Sequence, residues 1–528
     1  MRPTSALLAV MVASLTLLAG LVPDGSASDI ATPAAKAKPS GEYSPFTAWE
    51  LGYTGKGASI CIMDTGTDDS HPSLAGKWLG GADVSKPASP LTPRDGTFNA
   101  DDTHGHGTTC AGIAMGTGAP EKIYQGTAPD ARLVELRIGT IFGAAPGEGP
   151  SPIKLYDATL QGEQWALAHK DDKWPSGGGQ YQGIDVLSLS WGIDVGGSSD
   201  GSDPYSAGLD KLVDAGVIVV VAAGNDGPSN DGFTGLGAAS NVITVGATDD
   251  HDTITRSDDD IASYSSRGPR KDNGDDDPYN ELKPDVCAPG TGITQAQFDR
   301  MGDGSGNGYG SRGSGTSYAT PLVAGVVALM LEANREITPA IAKEVIRASA
   351  ERHGNATDYD LDPFWNKDYG WGMVDAYEAS RMVERIEDIS AVDVGLQSFV
   401  DNVTSDGPGM VNVQILAWNR YGDLEKVELR VDNGSWMSAR SARTQYGWGC
   451  ELAGLSAGNH TLLTRSLAGN TTSLISSYHF NVTSSARTQH GIPAEVWGWG
   501  GGAVALAAGC AVTYIYIMRR RAGRAVEI

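Results

Sequence analysis

The sequence predicts an α/β domain built on a parallel sheet with helices on both faces, then a small all-β sandwich, then one C-terminal transmembrane helix. Three observations carry this. Between residues 42 and 385, short uninterrupted apolar runs alternate with stretches of helical period, as in a parallel sheet buried on both faces. From 390 to 485 the period drops to two, with turn residues between the runs. Residues 496–518 carry no charge, and at about 1.5 Å per residue they can cross a hydrocarbon core about 30 Å thick. A chain of 528 residues exceeds what one core organises, so several domains are expected.

The elements follow in order. Residues 1–28 have an early cation, Arg2, an apolar run from Ala6 to Val22 and small residues at Ala27 and Ser28, the layout of a secretory signal peptide. Residues 29–41, "DIATPAAKAKPSG", are small and Pro-containing and read as a linker. The runs "ASICIMD", "ARLVELRI", "IDVLSLSWG", "VIVVVAAGN" and "NVITVGAT" read as buried strands. "DATLQGEQWALAHK", "YSAGLDKLVDAG" and "ATPLVAGVVALMLEAN" read as the helices between them. Active residues are then expected at the C-terminal ends of the strands. "MVNVQILAWN", "KVELRVDNGSW", "GNHTLLTRSLAG" and "SSYHFNVTS" read as sandwich strands. Trp497, Trp499, Tyr514 and Tyr516 sit near the ends of the apolar span, and Arg519, Arg520, Arg521 and Arg524 follow it. The basic tail, 519–528, should therefore stay cytoplasmic, with the body exported and anchored at the cell surface.

Composition excludes several classes. A formal net charge of −25 argues against a nucleic-acid partner. Five cysteines are odd in number and sparse; Cys61, Cys110 and Cys287 lie in apolar or small-residue contexts and read as buried thiols. No Cys/His metal spacing occurs. N-x-[ST] sequons at Asn355, Asn402, Asn433, Asn459, Asn470 and Asn481 make glycosylation plausible, five of the six lying in the β region.

Four stretches carry chemistry. "SICIMDTG" puts Asp64 at the end of an apolar strand, and "HGHGTTCAG" puts His106 before a run of small residues. "VVVAAGNDG" ends a strand at Asn225, and "GSGTSYATPLVAG" puts Ser317 at the start of a helix. A serine hydroxyl is a weak nucleophile that needs a neighbouring base, and the base needs an orienting partner. Histidine fits the base, a carboxylate fixes its tautomer, and a side-chain amide can donate to the oxyanion that forms. At a helix start, the Ser317 N–H and the helix dipole would face the developing anion. Taken singly, each stretch is also an ordinary strand cap, loop, turn or N-cap. Their order along the chain makes coincidence a poor explanation.

In that order the chain resembles the subtilisin-like serine proteases, the subtilases. The motifs are "IMDTGTDDSHPSL", "HGTTCAG" and "GTSYATPLVAG", with "GTAPDARL", "ASYSSRGP", "LKPDVCAPG" and "YGWGMVDAYEA" between and after them, over about residues 42–380. The resemblance implies a subtilisin-like fold and a peptidase acting on polypeptides, with Asp64, His106 and Ser317 as the triad and Asn225 as the oxyanion donor. It also implies substrate-binding edges at Ser190, Trp191 and Gly192 and at Ala222, Ala223 and Gly224. Cys110 resembles the free cysteine of one branch of the family; a thiol nucleophile is the rival reading. The stretch from "VELRVDNGSW" to "GNHTLLTRS" resembles immunoglobulin-like modules of surface enzymes.

Three departures stand out. Thr109 replaces a second His common in the His motif. Only 35 residues separate Ser28 from Asp64, so the inhibitory pro-domain many members carry is not expected. One family calcium carboxylate falls on Ser73, so that site is expected to be absent. No cofactor is expected for catalysis; the acidic loops "RSDDDIASY" and "KDNGDDDPYN" could hold structural calcium through oxygen ligands. The expected function is an exported, membrane-anchored serine endopeptidase working through an acyl-enzyme. Alternatives are a surface binding protein on an inert protease scaffold and a narrow-specificity processing protease. His104 is expected to be a solvated neighbour of the base.

Overall fold

The computed structural model describes residues 27–85, 92–93, 102, 104–139, 152–302, 304–407, 409–442 and 444–483. The apolar span 496–518, the basic tail 519–528 and nearly all of the expected signal peptide lie outside the described residues.

The architecture rests on a nine-stranded sheet, seven strands of which run parallel. These are β1 (Ser59–Asp64), β2 (Trp78–Asp83), β3 (Arg132–Arg137), β4 (Val186–Leu189), β5 (Ile218–Ala222), β6 (Ile243–Asp249) and β7 (Val286–Pro289), in the order β2-β3-β1-β4-β5-β6-β7. Two-residue antiparallel strands, Thr92–Pro93 and Asp260–Ile261, pair with β2 and β6. The uninterrupted apolar runs have a direct cause. Ile60 and Ile62 of β1 enter the core on one face, and Cys61 and Met63 enter the core on the other. Ile218 and Val220 alternate with Val219 and Val221 in the same way. A strand covered on both sides has no polar face to show.

Two helices cover one face, α2 (His106–Met115) and α5 (Thr316–Ala333); α3 (Pro152–His169) and α4 (Pro204–Asp214) cover the other. Among the described residues, α5 is the helix long and apolar enough to cross a membrane, but 83% of it is buried inside the protein. Its apolar circumference is that of a central core helix. Gly325 lets it touch α2, because a Cβ there would stand 2.9 Å from the Ala114 carbonyl oxygen and 2.6 Å from Thr127 Cβ.

The segment expected to be a linker, residues 29–41, is instead built into the domain. Helix α1 (Ala27–Ala34) opens it, and Ala31, Ala34, Ala35 and Ala37 are buried. The Ala35 carbonyl accepts from Ala376 N at 2.9 Å, and Lys36 pairs with Asp375 at 2.6 Å. Small side chains, read as linker composition, are what close approach to the core requires.

After α6 (Pro339–Ser349) and α7 (Ala376–Glu384) the chain becomes all-β. Strands β10 (Leu396–Gly407), β11 (Met410–Asn419) and β13 (Gly447–Ala453) form one antiparallel sheet; β12 (Lys426–Val431), β14 (Gly458–Ala468) and β15 (Ser476–Val482) form another. The two share a core of Val411, Val413, Ile415, Val427, Leu429, Leu452 and Leu462. The β region is fastened to the α/β part by Arg420, whose two terminal nitrogens lie 2.7 and 3.1 Å from the Glu344 carboxylate of α6. Both partners are buried, so the pair is a fixed joint; removing one partner would strand the other charge. A β hairpin, β8 (Ile293–Ala296) with β9 (Tyr309–Gly313), lies beside α2.

Candidate active site

The site forms where the C-terminal ends of β1, β4 and β5 meet the N-termini of α2 and α5. Asp64 is the last residue of β1 and is 1% exposed. His106 opens α2, and its Nδ1 lies 2.8 Å from Asp64 Oδ1 and 3.0 Å from Oδ2. With the Nδ1 proton directed at the carboxylate, Nε2 is left as the basic nitrogen. Burial would lower the His106 pKa, but the Asp64 carboxylate outweighs it and leaves the value well above 6.5.

Several residues not singled out in the sequence hold this pair. Asp102 accepts from the backbone N–H groups of His104 (2.9 Å), Gly105 (2.8 Å) and Thr108 (3.1 Å) and from Thr65 Oγ1 (3.0 Å), so one buried carboxylate fixes the loop and caps α2. Thr65 Oγ1 in turn accepts from Gly107 N at 3.0 Å. Strand end and helix start are so close that a Cβ at Gly107 would stand 2.0 Å from the Gly66 carbonyl oxygen. An Asp four positions before a helix is the one sequence signal that could have marked Asp102. Thr109, in place of a second His, donates to the Gly105 and Ala296 carbonyls at 3.0 and 3.2 Å and so ties α2 to β8.

Ser317 is the second residue of α5, so its N–H has no partner within the helix. Its hydroxyl donates to the Ser190 carbonyl at 3.2 Å. The two sites are neighbours: the Tyr318 ring lies 5.6 Å from the His106 ring, and Cys110 Sγ lies 3.8 Å from His106 Nδ1 and 3.5 Å from the Ser317 carbonyl. Ser190 Oγ also donates to the Ser317 carbonyl at 2.8 Å, holding β4 against the start of α5.

Asn225, exposed just beyond β5, has its amide orientation set by Thr316. Asn225 Oδ1 accepts from Thr316 N (2.9 Å) and Oγ1 (3.0 Å), which leaves Nδ2 as the donor end of the amide. Ser190, Trp191 and Gly192 continue β4; Ala222 ends β5, with Ala223 and Gly224 following. All six predicted edge residues therefore lie at adjacent strand ends, since β4 and β5 pair directly. The Trp191 ring stands 6.3 Å from the His106 ring.

Asp64, His106 and Cys110 place three ligand-type atoms within 4.8 Å. Burial raises the Cys110 thiol pKa, leaving a neutral thiol packed in the core beneath His106, poorly suited as ligand or nucleophile. His104 is half-buried, with its ring 6.5 Å from that of His106, and burial lowers its pKa; the solvated position expected for it is corrected to that extent. Ser73 is fully buried, and its Oγ accepts from Gly118 N at 2.9 Å.

A parallel sheet carrying an Asp–His pair at one strand end and a helix-borne serine beside it defines a class of hydrolase scaffold. The chain belongs to the subtilase family, whose sequence profile matches residues 55–372. It is 35% identical over 335 residues to serine protease AprX of Bacillus subtilis, covering 61% of this chain and 66% of AprX. It is 27% identical to bacillopeptidase F of the same organism, covering 68% of this chain and 22% of that protein. It is 31% identical to thermitase of Thermoactinomyces vulgaris, covering 63% of this chain and 91% of thermitase. The chain thus spans less than two-thirds of the length of AprX and of bacillopeptidase F.

Proposed function

We propose that the protein is a serine endopeptidase that hydrolyses polypeptides through an acyl-enzyme on Ser317. The observation that carries this is the Asp64–His106 hydrogen bond at 2.8 Å, with the imidazole ring 5.6 Å from that of Tyr318, next to Ser317 at the start of α5. In the first step Ser317 Oγ attacks the scissile carbonyl carbon and passes its proton to His106 Nε2. Asp64 orients the ring and stabilises the imidazolium. The oxyanion receives Asn225 Nδ2 and the Ser317 N–H. The intermediate collapses as His106 gives the proton to the leaving amine nitrogen, and water then repeats the sequence on the ester. An extended substrate adds as a strand against Ser190–Gly192 and Ala222–Gly224, with main-chain hydrogen bonds supplying affinity. A fluorophosphonate probe is expected to label the folded protein and to fail on Ser317→Ala; a folded, unlabelled parent would sink the reading.

The protein is exported by residues 1–28 and held at the cell surface by 496–518, with its β region an immunoglobulin-like module. Support comes from the lengths and flanks of the apolar segments and from the sequons: all six asparagines are exposed. Fractionation tests the anchor. The full chain should pellet with membranes, and a chain ending near 485 should not.

A further inference from the structure

Most buried carboxylates of this protein have cations or donors at hand. Asp285 has Lys283 at 2.9 Å and Arg347 at 2.6 Å. Even the exposed acidic loop 271–280 saturates itself: Asp272, Asp275 and Asp277 accept from the backbone N–H groups of Gly274, Asp277 and Tyr279. Among the exceptions in the described residues are the lone Glu163, 4% exposed with Oε1 unpartnered, and the end of β6, where several such oxygens gather. At the end of β6 the short antiparallel ladder pairs Thr248 with Ile261 and Asp249 with Asp260. One further step of that register sets Asp250 opposite Asp259. Directly opposed residues project to the same side of a ladder, and sides alternate along it.

The two sides are treated differently. On the outer side Asp249 is half-buried and Asp260 exposed, and His251 sits between them at 3.7 and 3.3 Å. On the inner side Thr248, Asp250 and Asp259 are 0%, 1% and 3% exposed. Each has a buried oxygen without a hydrogen-bond partner: Thr248 Oγ1, Asp250 Oδ2 and Asp259 Oδ1. The nearest guanidinium, Arg256, is already engaged with the carbonyls of Ala34, Met373 and Val374 and with Glu351. Burial holds both carboxyl pKa values up at about 7. Asp250 Oδ1 accepts from Asp252 N at 3.2 Å, but three buried oxygens, one on each of the two carboxyls and one on the hydroxyl, keep no partner on this side of the ladder.

We infer that Asp250, Asp259 and Thr248 hold a hard divalent cation, calcium, at the β6 ladder. The donor set is oxygen only, and its irregular geometry suits Ca²⁺, which takes six to eight oxygens and tolerates distortion; backbone carbonyls and water complete the shell. The site lies behind the active centre. The Thr248 carbonyl accepts from Gly290 N at 3.0 Å, and the Gly290 carbonyl accepts from Gly315 N at 2.9 Å, two residues before Ser317. The inference is independent of the peptidase reading.

The test uses the full chain carrying Ser317→Ala, so that self-digestion cannot distort melting. After stripping with a chelator, calcium should raise the thermal midpoint by a few degrees, and titration calorimetry should show binding. In Asp250→Asn/Asp259→Asn both responses should vanish, while Asp249→Asn on the outer side should keep them. Should the double variant fail to fold, Asp259→Asn alone carries the test. A parent indifferent to calcium overturns the inference, as does a response that survives in the double variant. So does a midpoint that ignores calcium and rises as pH falls from 8 to 6, which would mean the two acids share a proton.

Discussion

The two edges of the parallel sheet handle buried charge in opposite ways. At the N-terminal edge, Asp185 accepts from Ser59 N at 2.8 Å and pairs with Arg335, and Asp285 accepts from Thr244 N at 2.7 Å. Burial alone would raise the Asp285 pKa, yet Lys283, Lys343 and Arg347 hold it below the ordinary carboxylate range. Each of these acids caps a strand and is paired with basic side chains. At the C-terminal edge, Asp64 has an imidazole and its neighbour's backbone N–H as partners. One edge is compensated so that nothing changes; the other is left with a partner that can gain and lose a proton.

Substitutions can break or sharpen this contrast. Ser317→Ala and His106→Ala should each abolish turnover, leaving a residual rate about 10³–10⁴ above the uncatalysed reaction, while the thermal midpoint barely moves. Unequal losses in a peptide assay would separate the two residues and undo the pairing. Asp285→Asn should do the reverse. It strands buried cations and should cost about 3–5 kcal/mol in denaturant melts, with turnover per folded molecule preserved. A selective loss of turnover there would erase the distinction between the edges. Asn225→Ala should lower kcat about 10²–10³-fold with stability unchanged. A pH profile follows from the raised His106 pKa. The neutral ring is the base, so kcat/KM should fall as pH drops through a value above 6.5, and an acid limb below 6.5 would contradict the Asp64 effect. His104→Ala should be the mildest, within a few-fold of the parent; a loss matching His106→Ala would mean the base has been assigned to the wrong histidine.

Much of this was legible in the sequence where local pattern and tertiary role coincide. β1, β3, β4, β5 and β6 announce themselves because strands buried on both faces are uninterruptedly apolar. β2, "WLGGAD", and β7, "VCAP", do not: glycine and proline mask them, and register with β3 and β6 makes them strands. The triad residues and Asn225 lie at strand ends and helix starts, where motif order finds them. Their supports do not show in the sequence. Asp102 acts through backbone donors, Thr316 through the orientation of an amide 91 residues away, and Arg420 through Glu344, 76 residues distant. Such roles depend on which elements the fold brings together. The misread linker has the same origin, since alanine suits both a loose tether and a tight groove.

That groove has a consequence for how the chain is made. Lys36 meets Asp375 across 339 residues of sequence, and Ala35 receives Ala376 N. No nascent chain shorter than about 376 residues can close its own first helix into place. This segment therefore emerges well before the residues that seal it, with loop closure over most of the domain preceding any return. A chain arrested before that point should show its N-terminal alanines to proteases and chaperones, and the completed one should hide them.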